Sequence, residues 1–224
     1  MRESPAGAEL FRTSALRFAP AASPSAPPVQ RSAALSATFD LGLSTFDLKQ
    51  VRFIETKLAG AYLIEPEPHE DARGFFARTF CAREFAAHGL ATEFVQCSIS
   101  MNRKRGTLRG LHYQLSPAEE VKLVRCTAGA VHDVIVDLRP ASPTYRQHVG
   151  VELTAPNRRA LYVPEMFAHG FQTLEDDSEV FYQISEFYAP EKSVGIRFDD
   201  PRLDIPWPLP ITAISDKDRA WPLL

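Results

Sequence analysis

An imidazole and a guanidinium three residues apart, His112 and Arg109, stand in the run Arg105-Gly-Thr-Leu-Arg-Gly-Leu-His-Tyr-Gln114. The run is otherwise patterned like a β-strand. An imidazole can take or give a proton near neutral pH, and a guanidinium forks onto anionic oxygens. In one regular strand, residues three apart point to opposite faces. For the two to share a cavity the strand must bend or bulge, and Gly110 between them is where that is easiest. The alternative is a surface strand with a solvated Arg109 and a half-buried His112.

Other residues stand out by type. Lys122 interrupts the apolar Val121-Lys-Leu-Val124, where an ammonium either faces a cavity or snorkels from an edge strand. His169 lies in Pro164-Glu-Met-Phe-Ala-His-Gly170, a turn entering a strand, and can equally be a hydrogen-bonded corner residue. Tyr182 offers a phenol, or a core aromatic with its hydroxyl satisfied. Asp200 precedes Pro201, where Asp commonly opens a turn. The spacing argues against a metal: Tyr113 and Gln114 follow His112, with no second His two positions on and no Cys in the run.

The elements that must position these residues are short. From Val51 onward, β-type runs alternate with turn residues: Ala61–Glu65, Gly74–Phe80, Phe94–Ser100, Val121–Cys126, Ala130–Leu138, His148–Leu153, Ala160–Val163, Gly170–Leu174 and Glu179–Ile184. One short helix is expected from Cys81 to His88, ended by Gly89. Many short strands with hardly a helix between them predict an all-β antiparallel sandwich or barrel, and a jelly roll would enclose a cavity. Residues 1–50 contain the low-complexity stretch Pro20-Ala-Ala-Ser-Pro-Ser-Ala-Pro-Pro28 and are expected to be a disordered extension, leaving 51–224 as the folded domain.

Composition narrows the partners. A formal net charge of -3, with Lys and Arg dispersed, favours neither nucleic acid nor a membrane, and no apolar run reaches the length of a span. Three cysteines, Cys81, Cys97 and Cys126, have no ligand spacing and an odd count, which fits a reducing, cytoplasmic setting.

Seven motifs, in order, carry a family resemblance: Asp71-Ala-Arg-Gly-Phe-Phe76, Gly106-Thr-Leu-Arg-Gly-Leu-His-Tyr-Gln114, Val121-Lys-Leu-Val-Arg125, Asp133-Val-Ile-Val-Asp-Leu-Arg139, Val163-Pro-Glu-Met-Phe-Ala-His-Gly-Phe171, Tyr182 with Tyr188-Ala-Pro190, and Gly195-Ile-Arg-Phe-Asp-Asp-Pro201. From about Phe53 to Ser215-Asp-Lys-Asp218 the chain resembles dTDP-4-dehydrorhamnose 3,5-epimerases. The resemblance implies a cupin-type jelly roll, a homodimer, and no metal or organic cofactor. The implied substrate is a thymidine-diphosphate 4-keto-6-deoxyhexose, whose ketone acidifies the hydrogens on C3 and C5. By family position His112 is the base, Asp200 its partner, Lys122 the stabiliser of the enolate oxygen, and Tyr182 the acid on the opposite face. Arg73 and Arg109 match diphosphate and substrate contacts, Phe76 and Tyr188 line the pocket, and Gln96 and His169 lie close to substrate.

This sequence departs from the family pattern at Arg78, Ser98 and Met166, where Glu, Asn and Gly are usual. The rival readings are an epimerase acting on C3 alone of a related 4-keto sugar, and a non-catalytic cupin that binds a nucleotide sugar. Deuterium exchange at C3 and C5, at C3 only, or at neither carbon separates the three.

Overall fold

The computed structural model describes residues 50–224. All but the last residue of the segment expected to be disordered, 1–50, lies outside the described residues. The strands are β1 (Arg52–Glu55), β2 (Tyr62–Glu65), β3 (His69–Asp71), β4 (Gly74–Phe76), β5 (Gln96–Asn102), β6 (Leu108–Gln114), β7 (Lys122–Ala128), β8 (Ala130–Asp137), β9 (His148–Thr154), β10 (Ala160–Val163), β11 (Phe167–Thr173), β12 (Ser178–Ile184) and β13 (Ser193–Gly195). Two short helices complete the inventory, α1 (Ala82–Ala87) and α2 (Asp216–Arg219).

The long strands pair antiparallel into two sheets, one of six strands in the order β1-β2-β10-β7-β12-β5 and one of five in the order β13-β6-β11-β8-β9. The antiparallel sandwich expected from the strand spacing is what forms, in the cupin-type jelly roll that the family resemblance implies. Alternation places Val124, Cys126 and Val180 of the first sheet against Val131, Ile135, Leu153, Phe167 and Phe171 of the second, in one buried cluster. A second cluster, with Phe85 of α1 fully buried among Val51, Ile64, Leu123 and Tyr162, seats the helix on the outside of the larger sheet. Gly89, in the left-handed region at φ 68°, ends α1 as its residue type suggests.

Two expectations need correction. The run Gly74–Phe80 is a strand only to Phe76, where it pairs with β3 in a separate two-stranded hairpin. The helix α2 was not expected; it starts at Ser215, whose hydroxyl accepts the Asp218 N–H at 3.0 Å.

Candidate active site

The strand that carries Arg109 and His112 does bulge. In its pairing with β11, His112 stands opposite His169 and Arg109 opposite Phe171, so three residues of β6 span two of β11. Residues two apart on a strand share a face, and the extra residue therefore brings Arg109 and His112 to the same face, toward the other sheet. Gly110 sits at the bulge with φ 131°, outside the range L side chains adopt. A Cβ on Gly110 would lie 2.6 Å from the Gly170 Cα, and one on Gly170 2.6 Å from the Arg109 carbonyl oxygen. The two backbones meet where only glycines fit.

That face borders a cavity of about 650 Å³ between the sheets. The smaller sheet contributes Arg109, His112 and His169; the larger contributes Ser98, Lys122 and Tyr182; the C-terminal segment closes one side with Lys217 and Asp218. His112 Nε2 lies 2.6 Å from Asp218 Oδ1, and Asp218 Oδ2 accepts the Gly110 N–H at 3.3 Å. The carboxylate therefore holds both the imidazole and the bulge. Burial alone would raise the Asp218 carboxyl, but hydrogen bonds from His112, Gly110 and Ser215 outweigh it and hold it below the ordinary carboxylate range. With Nε2–H donating to an ionised carboxylate, neutral His112 keeps its Nδ1 lone pair as a base.

A second His–Asp pair lies beside the first. His169 Nε2 sits 3.0 Å from each carboxylate oxygen of Asp133, and both side chains are buried. Across the cavity the Tyr182 ring meets His169 edge-on, with centroids 6.0 Å apart. Burial drives the Tyr182 phenol far above its usual range, Asp133 adds to the rise, and Arg109 opposes it. Tyr182 is therefore protonated across the physiological range, as a proton donor must be. The Lys122 ammonium is 2.8 Å from Glu120 Oε1. The Arg109 Nε donates to Asn102 Oδ1 at 2.7 Å, so its terminal amino groups are what it has to offer an anion.

Asp200 is not the partner of His112. It is buried outside the cavity, where it accepts from the Arg202 N–H and guanidinium and, at 2.6 Å, from the Leu224 N–H. An Asp before Pro201 opened a turn after all, and the carboxylate next to the imidazole comes from α2. Sequence did carry a signal there, since Ser215-Asp-Lys-Asp218 is a helix-capping pattern, but such a pattern announces a helix start and no chemistry.

The expected binding residues divide. Tyr188 lines the cavity, and Gln96 supports it from behind by accepting the Tyr188 N–H at 2.7 Å. Gln114, buried beneath the same loop, accepts the Ala189 N–H and donates to the Phe187 carbonyl. Arg73 and Phe76 do not line the cavity; they sit exposed on the β3–β4 hairpin, with Arg73 bridged to Asp71. Of the three departures, Arg78 is bound to Glu84, whose carboxylate also accepts the Val51 N–H, and it is absent from the cavity wall. Ser98 does border the cavity. Met166 has φ 58°, which explains why glycine suits that position. Among the described residues no group of three or more His, Cys, Asp or Glu is gathered to hold a metal ion.

The family model for dTDP-4-dehydrorhamnose 3,5-epimerase matches residues 55–224. The chain belongs to that family. A dTDP-4-dehydrorhamnose 3,5-epimerase of Methanothermobacter thermautotrophicus is 47% identical over 177 residues, covering 78% of this chain and 95% of its own length. The crystal structure of the Bacillus anthracis family member, with TDP and PPi bound, superposes with a TM-score of 0.75 at 42% identity, covering 78% of this chain and 100% of that one. The Legionella pneumophila enzyme in complex with dTDP-4-keto-L-rhamnose gives 0.72 at 40% identity, covering 78% of this chain and 93% of its own. Family membership and the two-sheet cavity agree, and the epimerase resemblance seen in the motifs stands.

Proposed function

We propose that this chain inverts C3 and C5 of a dTDP-linked 4-keto-6-deoxyhexose through an enolate, without a cofactor. The observation that carries the reading is the placement of a base and an acid on opposite sheets of one cavity. His112, oriented by Asp218, takes the proton from one side; Tyr182, kept protonated by burial, donates its own phenolic proton from the other, and exchange with solvent resets both groups. Lys122 stabilises the oxyanion that forms at C4, and Arg109 meets the diphosphate. Binding alone would require neither the acid nor the base.

The exposed position of Arg73 and Phe76 fits a homodimer in which they serve the neighbouring subunit's cavity. Strand β5 is the edge of the larger sheet, and Ile99 and Met101 on its outer face are 66% and 49% exposed. An edge strand with apolar outward residues invites a second copy. Light scattering should give twice the chain mass, and Ile99→Glu should halve it. No helix among the described residues is long and apolar enough to cross a membrane, and all three cysteines are unpaired, with burial pushing the Cys126 thiol up to about 11. Free thiols of this kind suit the cytoplasm.

The test is incubation with dTDP-4-keto-6-deoxyglucose in heavy water, followed by proton NMR. Deuterium should enter C3 and C5 with inversion at both, and His112→Asn should abolish exchange. Exchange at C3 alone would make the chain a monoepimerase; wild-type exchange in the His112 variant would sink the mechanism.

A further inference from the structure

We propose that Glu120 is a positioning residue for Lys122, fixing where the ammonium sits while the enolate forms. The inference rests on the reading above. Glu120 and Lys122 both line the cavity, lie 2.8 Å apart, and have side chains only 10% exposed. The residue between them is clamped at both backbone groups: the Val121 N–H donates to Ser185 Oγ at 2.8 Å, and the Ser185 N–H donates to the Val121 carbonyl at 3.0 Å. That clamp fixes the start of β7, so the pair is built into the sheet and is no chance meeting of surface side chains.

An ammonium on a flexible four-carbon stem favours water over an enclosed cavity unless a fixed anion holds it there. Around the cavity stand the guanidinium of Arg109, the ammonium of Lys217, the imidazoles of His112 and His169, and the phenol of Tyr182. The carboxylates of Asp218 and Asp133 are each committed to an imidazole. Glu120 is the carboxylate that answers Lys122. An ammonium has three donors, so engaging one with Glu120 leaves two to reach the substrate oxygen.

Glu120→Gln keeps the size and an acceptor but removes the charge. Deuterium exchange should fall about tenfold or more at neutral pH with KM changed less than about threefold, because the ammonium is no longer held where the enolate oxygen forms. Glu120→Asp should also leave kcat low at an unchanged KM, because the charge is restored and the reach is not. Lys122→Met separates the two levels. If it exchanges at the wild-type rate, the enolate role fails and the inference with it. If it is inactive while Glu120→Gln keeps the wild-type kcat, or loses activity through KM alone, only the inference is overturned. Where Glu120→Gln does not fold, Glu120→Asp decides: a low kcat at unchanged KM supports the inference, and a wild-type kcat overturns it.

Discussion

Asp218→Asn and Asp200→Asn, made side by side, test which carboxylate serves the base. The Asp218–His112 contact is 2.6 Å long and the Asp218 side chain is 6% exposed. Hydrogen bonds to charged groups contribute about 1.5–3 kcal/mol, and this one strengthens as the imidazole becomes an imidazolium in the transition state. Asn keeps the volume and an acceptor oxygen but not the charge. Losing about 1.5–3 kcal/mol of transition-state stabilisation corresponds to a fall of about 10- to 150-fold in exchange rate. The folded-state pKa of Asp218 lies below its ordinary 3.8, so its contribution to stability is present above that value and is lost only as pH falls through the folded value. Assays near neutral pH therefore read the chemistry of an ionised Asp218.

Asp200→Asn loses the ionic part of the contact with Arg202 but retains an acceptor for the Leu224 N–H. It should lower thermal stability by about 1–3 kcal/mol, with exchange by the folded protein within about threefold of wild type. Initial exchange rates at saturating substrate, measured well below each variant's calorimetric Tm, separate the two outcomes. Abolished exchange in Asp200→Asn at an unchanged Tm, with a wild-type rate in Asp218→Asn, would refute the assignment.

Gly110→Ala places a methyl 2.6 Å from the Gly170 Cα at φ 131°, and should cost about 2–5 kcal/mol, seen as a lower midpoint in denaturant. Tyr182→Phe should keep deuterium exchange within about tenfold while inversion falls by about 100-fold or more, both read from one NMR time course. His132 and His148, on neighbouring strands, have imidazole pKa values lowered by burial from an ordinary 6.5 despite the nearby carboxylates Asp133, Glu152 and Asp204. The unfolded chain then binds protons more readily below about pH 6.5, so Tm should fall between pH 7.5 and 5.5, and His132→Gln should flatten that slope.

The β pattern of the sequence was legible because alternation and turn residues are local properties, and the inward set His112, Lys122, His169 and Tyr182 followed from polar side chains in apolar strands. Even the bulge could be inferred, since Arg109 and His112 can share a cavity only if the strand gains a residue at Gly110. The imidazole's partner could not. Asp218 and His112 are 106 residues apart, and nothing local distinguishes a carboxylate that reaches a cavity from one that caps a turn. Glu120 was hidden for a different reason: a Glu two residues before a Lys in a turn looks like an ordinary solvated pair until both are seen to be buried.

The two-sheet arrangement also bears on how one site can invert two carbons. In the chair of a gluco-configured 4-keto-6-deoxyhexose, the hydrogens on C3 and C5 are axial on the same face, and both carbons flank the ketone. A single base beneath that face and a single acid above the other reach both centres without turning the ring over. In the proposed mechanism His112 on the smaller sheet is that base and Tyr182 on the larger that acid, with Lys122 on the acid's sheet for the oxygen at C4. The cavity of about 650 Å³ between the sheets has room for one sugar ring between those side chains. One base for both carbons means that His112→Asn must suppress exchange at C3 and at C5 together. Survival of one exchange while the other is lost would mean that a second group abstracts that proton.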